Sequence, residues 1–294
     1  MRGVVSGVVP AVAEIGDPRV DPGSVLVSVD SYLLQAGAGT EPAARGVLGG
    51  AFSGWIAAVG RESDAGRIGE RVVGYVRHGA CAEFVAAPSA AVFGIARSNA
   101  DHAVIAALPG ERAMFAVARA KRLGATSLVV LSPATDIGCL VGALSAEAGI
   151  RAIAVSSDAH HAALSACGFA DTVSKQAFGH DGLAAAGLGS APALVDCWPD
   201  ARTHLIDALG IDAPVITFGR AERLDPASGG FNVNLIDEAL HDDDVVQQQF
   251  SSLLARLSED RLAIPTTRIA LDDVPAYARQ LADEAVVGAV VVNP

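Results

Sequence analysis

From about Asp101 to Asp244 short β-branched runs alternate with segments of helical period, and no other feature limits the fold of this chain as tightly. The runs SLVVLS, RAIAVS, DTVS, ALVDCW and PVITFG read as strands, with helices expected at 111–123, 137–148, 158–167 and 201–209. Strands separated by helices need crossover connections, which are right-handed, and the outcome is a parallel sheet wound on both faces. Within that stretch LVVLSPATDIGCLVGAL, Leu128 to Leu144, reads as a buried strand, a turn and the opening of a helix, which is how a nucleotide-binding βαβ unit begins. Such a turn is normally rich in glycine. Here it holds Ser132, Pro133, Thr135 and Asp136, with Gly138 its only glycine.

The flanking regions follow other patterns. From Met1 to about Arg97 the runs MRGVVSGVVP, SVLVSVDSYLL, FSGWIAAVG, ERVVGYV and CAEFVAAP are separated by Gly, Pro and Asp turns, the pattern of a small closed sheet. After Val245 an amphipathic helix, VVQQQFSSLLARLSED, leads to a strand, a helix start capped at Asp272 or Asp273, and a last strand GAVVVNP. With 294 residues, 51% of them hydrophobic, two domains are the expected division of the core.

Composition excludes several classes. A formal charge of -12 leaves no basic surface for phosphate backbones, so nucleic acid is not an expected partner. No apolar run approaches the roughly 18 residues that cross a bilayer. The amino terminus lacks the basic and apolar regions of an export signal, so no membrane and a cytoplasmic location are expected. Cys81, Cys139, Cys167 and Cys197 are far apart and form no CxxC pair, which predicts ordinary buried thiols.

Several short stretches, in order, resemble the medium-chain dehydrogenase/reductase superfamily, and within it the zinc-independent quinone oxidoreductase and enoyl reductase branch. GVLGGAFSGWIAAVG is similar to its segment ending a-G-x-V-x-x-V-G, GRIGERVVGY to v-G-D-R-V, and HGACAEFVAAP to G-x-x-A-E-y-v-x-v-p. CGFADTVS is similar to l-G-A-d-x-v-i and GAVVVNP to the closing G-k-v-V-l-x-p. The resemblance covers essentially the whole chain. It implies an α/β protein, with a GroES-like β-rich catalytic domain at 1–100 and 245–294 and a Rossmann-type doubly wound parallel sheet domain at 101–244. The substrate cleft would lie between them. It also implies a homodimer joined at the edge of the second domain, near GGFNVNLID.

The same resemblance marks departures. Where the zinc-dependent branch has Gly-His-Glu this chain has Gly49-Gly50-Ala51, and no zinc is expected. His160 and His161 are adjacent on a helix and point apart, so they are not read as a metal pair. Where NADPH-using members have G-x-x-G-G-V-G, this chain has Ser132-Pro133-Ala134-Thr135-Asp136-Ile137-Gly138. A Cβ at Thr135 and a carboxylate at Asp136 enter the diphosphate space. Asp136 is also expected to cap the helix and use up its free N–H groups. In place of D-x-x-G-G the chain has Asp196-Cys197-Trp198-Pro199-Asp200, and VSSDAHH carries His160 or His161 where a Lys or Arg would grip a 2′-phosphate.

The expected cofactor is therefore none, or NADPH held weakly. If NADPH is kept, Ser132, Thr135, Gly138, Ser156, Ser157, His160 and Gly219 would hold it. Tyr32, His78 and Asp136 are the candidate proton-transfer groups, and Asn232, Asn234 and Trp198 the candidate contacts for a small apolar molecule. Glu83 is read as a structural hydrogen-bonding residue. The leading expectation is a redox-neutral enzyme on a small carbonyl or enone compound, of polyketide type, performing cyclisation, dehydration, isomerisation or conjugate addition. The alternatives are an NADPH-dependent quinone or enoyl reductase and a non-catalytic binding or partner protein on the same scaffold.

Overall fold

A computed structural model describes residues 1–7, 9–35, 46–60, 62–96, 98–181, 193–197, 215–217, 231–232 and 243–294. Two sheets dominate it. The first is antiparallel for most of its width and is built from both ends of the chain. Strands β3 (Ser24–Leu34), β4 (Leu48–Val59), β5 (Arg71–His78) and β7 (Val92–Gly94) come from the amino-terminal region, and β14 (Thr266–Ala270) and β15 (Ala289–Asn293) from the carboxyl end. β15 runs antiparallel to the last residues of β3, with Val291 opposite Leu33. β6 (Phe84–Pro88) pairs with the first half of β3. The strand β1 (Arg2–Val5) pairs with β2 (Ala11–Glu14) beside them.

The second sheet is parallel and contains β8 (Ser127–Leu131), β9 (Arg151–Ser156), β10 (Asp171–Ser174), β11 (Ala193–Asp196), β12 (Val215–Thr217) and β13 (Phe231–Asn232). Its order is β10-β9-β8-β11-β12-β13. Each strand pairs parallel to its neighbour. The order reverses direction between β8 and β11, and a doubly wound sheet opens its ligand crevice at that switch point, beyond the carboxyl ends of the strands.

Burial explains why these runs are strands. β8 and β11 are buried along their whole length, as expected where helices cover both faces. Alternate residues serve different cores: Val129, Leu131, Ile153, Val155 and Leu194 pack on one face with Val173 and Phe178. Leu128, Val130, Ala152, Ala154 and Val195 face the other way, against helices α2 (Glu111–Arg122), α3 (Asp136–Glu147) and α6 (Asp243–Ser258). Among the described residues the helices between α3 and α6 are α4 (His161–Ala166) and α5 (Lys175–Asp181). That second core also takes in Leu33, Val73 and Val291, so the helical layer is shared between the two sheets. Burying each large aliphatic side chain contributes about 1.5–3 kcal/mol.

Helix α1 (Ala100–Ile105) is capped by Asn99, whose side chain accepts the N–H groups of Asp101 and His102. A wide π-type turn at Ala106–Gly110 then delivers Glu111 and Arg112 to the start of α2. α6 lies directly on that turn, since a Cβ on Gly110 would stand 2.1 Å from Leu253 Cδ2. Helix α7 (Val274–Ala282) follows a short turn in which Asp273 Oδ2 accepts the Ala270 N–H.

The expected helices at 111–123 and 137–148 appear with nearly those bounds. The one expected at 158–167 begins instead as a tight turn at Asp158–His160. The one at 201–209 lies outside the described residues.

Candidate functional site

The switch point is filled by the turn after β8. Leu131 ends the strand and Ser132 adopts φ +52, a left-handed conformation that normally calls for glycine. The chain then enters α3 through Thr135, an extended residue whose hydroxyl donates to the Ser132 carbonyl (3.0 Å) and accepts the Gly138 N–H (3.1 Å). Thr135 is thus the helix cap. The sequence assigned that role to Asp136, but the cap residue must stand outside helical φ/ψ, and Asp136 is already the first residue of the helix. Gly138 is required by packing: a Cβ there would stand 2.6 Å from the Pro133 backbone. The Ala134 carbonyl accepts the N–H of Gly288, so the segment leading into β15 closes on the turn. Ser132, Thr135 and Asp136 are all buried.

Asp136 lies in this enclosed place with one carboxylate oxygen, Oδ1, accepting the Ile137 N–H at 2.8 Å. The other, Oδ2, is buried without a hydrogen-bond partner. Burial pushes its carboxyl up to about 6, against the backbone N–H of Ile137 and the nearby guanidinium of Arg112, which both favour the anion. Arg112 is itself buried enough to hold its proton less firmly than usual, and faces Tyr75 from β5 as well as Asp136 and Glu111. Glu111 is raised by burial, and its Oε1 is also buried without a partner. Arg112 is thus within electrostatic reach of carboxylates from both α2 and α3 and of Tyr75 from the antiparallel sheet.

Sequence reasoning missed Arg112 and Glu111. The available signal was the pair of opposite charges directly after Pro109-Gly110, at a helix start otherwise surrounded by Ala, Val and Leu.

The other candidates scatter. Tyr32 is wholly buried in the core of the antiparallel sheet, where its hydroxyl donates to the Gly49 carbonyl at 2.8 Å. The candidate proton-transfer tyrosine is thus a core residue whose hydroxyl is already bonded. A register shift in the β3–β4 ladder between Val29 and Ser31 sets the alternation that follows, so Leu33 faces the helical layer and Tyr32 faces inward. His78 is exposed at the end of β5, where it is paired with Leu48, and nothing brings it to Asp136.

On the neighbouring strand Ser156 is buried, and its hydroxyl lies 3.0 Å from His160 Nδ1; Ser157 is exposed. Of Asn232 only the strand position, beside Thr217, is described. Asn234, Trp198 and Gly219 lie outside the described residues. Glu83 Oε2 accepts the N–H of Arg2, a structural bond. Cys139, Cys167 and Cys197 are buried in one core. Among the described residues no three His, Cys, Asp or Glu side chains converge as a metal site, and no helix is long and apolar enough to cross a membrane.

No protein-family model matches the chain, and no curated protein matches it. Solved structures do. The mycobacterial protein Rv1454c, solved in complex with NADPH, superposes with a TM-score of 0.82 over 100% of both chains at 19% identity. A quinone oxidoreductase from Pseudomonas syringae superposes at 0.81 over 100% of this chain and 99% of that one, at 17% identity. The YhdH oxidoreductase of Salmonella enterica, in complex with NADP, superposes at 0.76 over 100% of both, also at 17% identity.

The chain has the quinone oxidoreductase fold.

That fold accounts for the discontinuous sheet and for the strand order, and the turn from Ser132 to Gly138 stands at the switch point, where doubly wound sheets in general bind their ligands. In the quinone oxidoreductase fold as this chain builds it, two of the first N–H groups of α3 are already engaged, by Thr135 and Asp136. A bound diphosphate would use those same donors. Ser156 and His160 lie together at the end of the neighbouring strand β9. A diphosphate at the start of α3 fits these residues only where the Asp136 carboxylate gives up the Ile137 N–H.

Proposed function

We propose that this chain is an NADPH-dependent oxidoreductase acting on small apolar carbonyl compounds of quinone or enone type. The observation that supports it best is the placement of the Ser132–Gly138 turn at the switch point of a parallel sheet in the order β10-β9-β8-β11-β12-β13, in a fold whose solved examples include complexes with NADPH and NADP. When bound, NADPH supplies the hydride. The chain's own contribution is positional and electrostatic. Ser156 and His160 would meet the adenosine phosphate, weakly for want of a fixed cation. The α3 amides would meet the diphosphate. Arg112, half-buried beside Asp136, would polarise a carbonyl oxygen, and Asp136 with its carboxyl near 6 would take up or give back a proton close to neutral pH.

A second reading keeps the crevice but not the hydride. It rests on the engaged N–H groups of Ile137 and Gly138 and on Asp136, which together suit a redox-neutral step such as isomerisation or conjugate addition on an enone of polyketide type. One experiment separates the two. Purified protein is incubated with a panel of quinones and α,β-unsaturated ketones, with and without NADPH, following nicotinamide absorbance and substrate consumption together. Substrate-dependent NADPH oxidation supports the reductase. Turnover that needs no nicotinamide, with no NADPH-induced rise in melting temperature, replaces it with the second reading. No turnover and no ligand-induced stabilisation contradicts both and leaves the scaffold protein.

A further inference from the structure

We propose that Asp136 is a built-in competitor for the anion site at the start of α3, occupying it as a carboxylate and yielding it to a diphosphate-bearing ligand when protonated. The inference deepens the reading above and rests on it in one respect, that the crevice receives a dinucleotide.

Three observations carry it. Helix α3 is twelve residues long, so its amino terminus is a developed positive pole, and Ile137 and Gly138 carry two of its first N–H groups. An acceptor internal to the chain already sits on each: Thr135 Oγ1 on Gly138 and Asp136 Oδ1 on Ile137. The remaining oxygen of that carboxylate, Oδ2, is buried with no hydrogen-bond partner. A buried carboxylate oxygen without a donor is costly to keep. The arrangement is that of an anion site filled by an imperfect internal anion. Thr135 supplies a neutral oxygen and obstructs little by charge. Asp136 repels phosphate directly.

The charged and titratable groups around it decide the sign. Arg112 approaches from α2, Cys139 from α3 and Cys197 from the end of β11. A hydrogen bond with Cys167 together with burial holds the Cys139 thiol well up, and burial does the same for Cys197, so both stay neutral. Glu111 and Tyr75 face Arg112. On the far side of the turn Glu284, which Ser132 contacts through its hydroxyl at 3.5 Å, is paired with Lys175 of α5 at 2.7 Å. Arg112 is therefore the cation shared between Asp136 and an incoming phosphate. Once Asp136 is neutral, the arginine and the freed Ile137 N–H are both available to the ligand.

The test is a calorimetric titration of NADP⁺, and separately of inorganic pyrophosphate, into the wild-type chain and Asp136→Asn at about pH 5, 6, 7 and 8. Asp136→Ser serves as a second variant, and melting curves confirm that each is folded. Both ligands titrate in this range, but that contribution is common to all three proteins and cancels in the comparison. The wild type is expected to lose affinity about tenfold more than Asp136→Asn between about pH 5 and pH 7, because the open form becomes the minority as the carboxyl ionises. Both variants should bind more tightly than wild type at about pH 8. Equal pH slopes in wild type and variants overturn the inference, even where NADP⁺ binds well. A slope difference for pyrophosphate without any NADP⁺ binding upholds the anion site and removes the cofactor reading. No binding of either ligand to any of the three proteins overturns both.

Discussion

Asp136 concentrates the tension in this structure, because a carboxyl with one oxygen satisfied and one orphaned must be either an energetic defect or a device. Its effect on stability has a definite sign. In an unfolded chain the group titrates at its ordinary value of 3.8, and in the fold at about 6. The folded state therefore holds the proton more firmly, and the stability this gives is fully present below the lower value, declines between the two and is gone above the upper. Asp136→Asn removes the ionisation, so the variant should match the wild type near pH 4 and exceed it near pH 8 by on the order of 3 kcal/mol, as read from denaturant unfolding at the two pH values. Tyr32 behaves as its surroundings require of a core residue. Burial pushes its hydroxyl well up and its one bond goes to the Gly49 carbonyl. Tyr32→Phe should cost about 1–2 kcal/mol in stability while leaving turnover unchanged, whereas a catalytic tyrosine would lose turnover with little change in melting.

At the scale of elements the turn between β8 and α3 is held by hydrogen bonds from the Thr135 and Asp136 side chains. Thr135→Ala removes the cap and should destabilise the protein by about 1 kcal/mol. Gly138→Ala drives a Cβ against the Pro133 backbone and should cost about 2–3 kcal/mol, measured by the same unfolding curves. The strands around the turn were legible in the sequence for a physical reason: LVVL and AIAV are buried on both faces, so no polar residue interrupts them. The degenerate turn was legible as well, because glycine spacing is a backbone requirement visible in single letters. Which residue caps the helix was not, since Thr135 and Asp136 are both good caps and one residue of register decides between them. Nor was the side on which Tyr32 falls, because it depends on the irregularity in the β3–β4 pairing after Val29, which leaves no mark in composition. Arg112 stayed hidden for a third reason: its significance lies in facing Asp136 and Tyr75, two residues distant in sequence.

For the whole molecule, strands from both chain ends share one sheet, the helical layer packs against both sheets, and the segment before the last strand closes on the Ser132–Gly138 turn. Among the described residues β13 is the last strand of the parallel sheet, with β12 on one side. Such an edge is a natural place for pairing with a second copy. We propose a two-fold dimer there; sedimentation should show a species of twice the 29.8 kDa chain mass, and a Phe231→Pro variant should sediment as a monomer. The central claim is more local than the assembly: a carboxylate of this chain stands where the fold receives a phosphate. It is tested most directly by carbon-13 NMR of the Asp136 carboxyl, assigned against Asp136→Asn and titrated with and without inorganic pyrophosphate. The account predicts a midpoint at about 6 in the free protein, moved higher by the anion. A midpoint at the ordinary aspartate value of 3.8, unmoved by the anion, would contradict it.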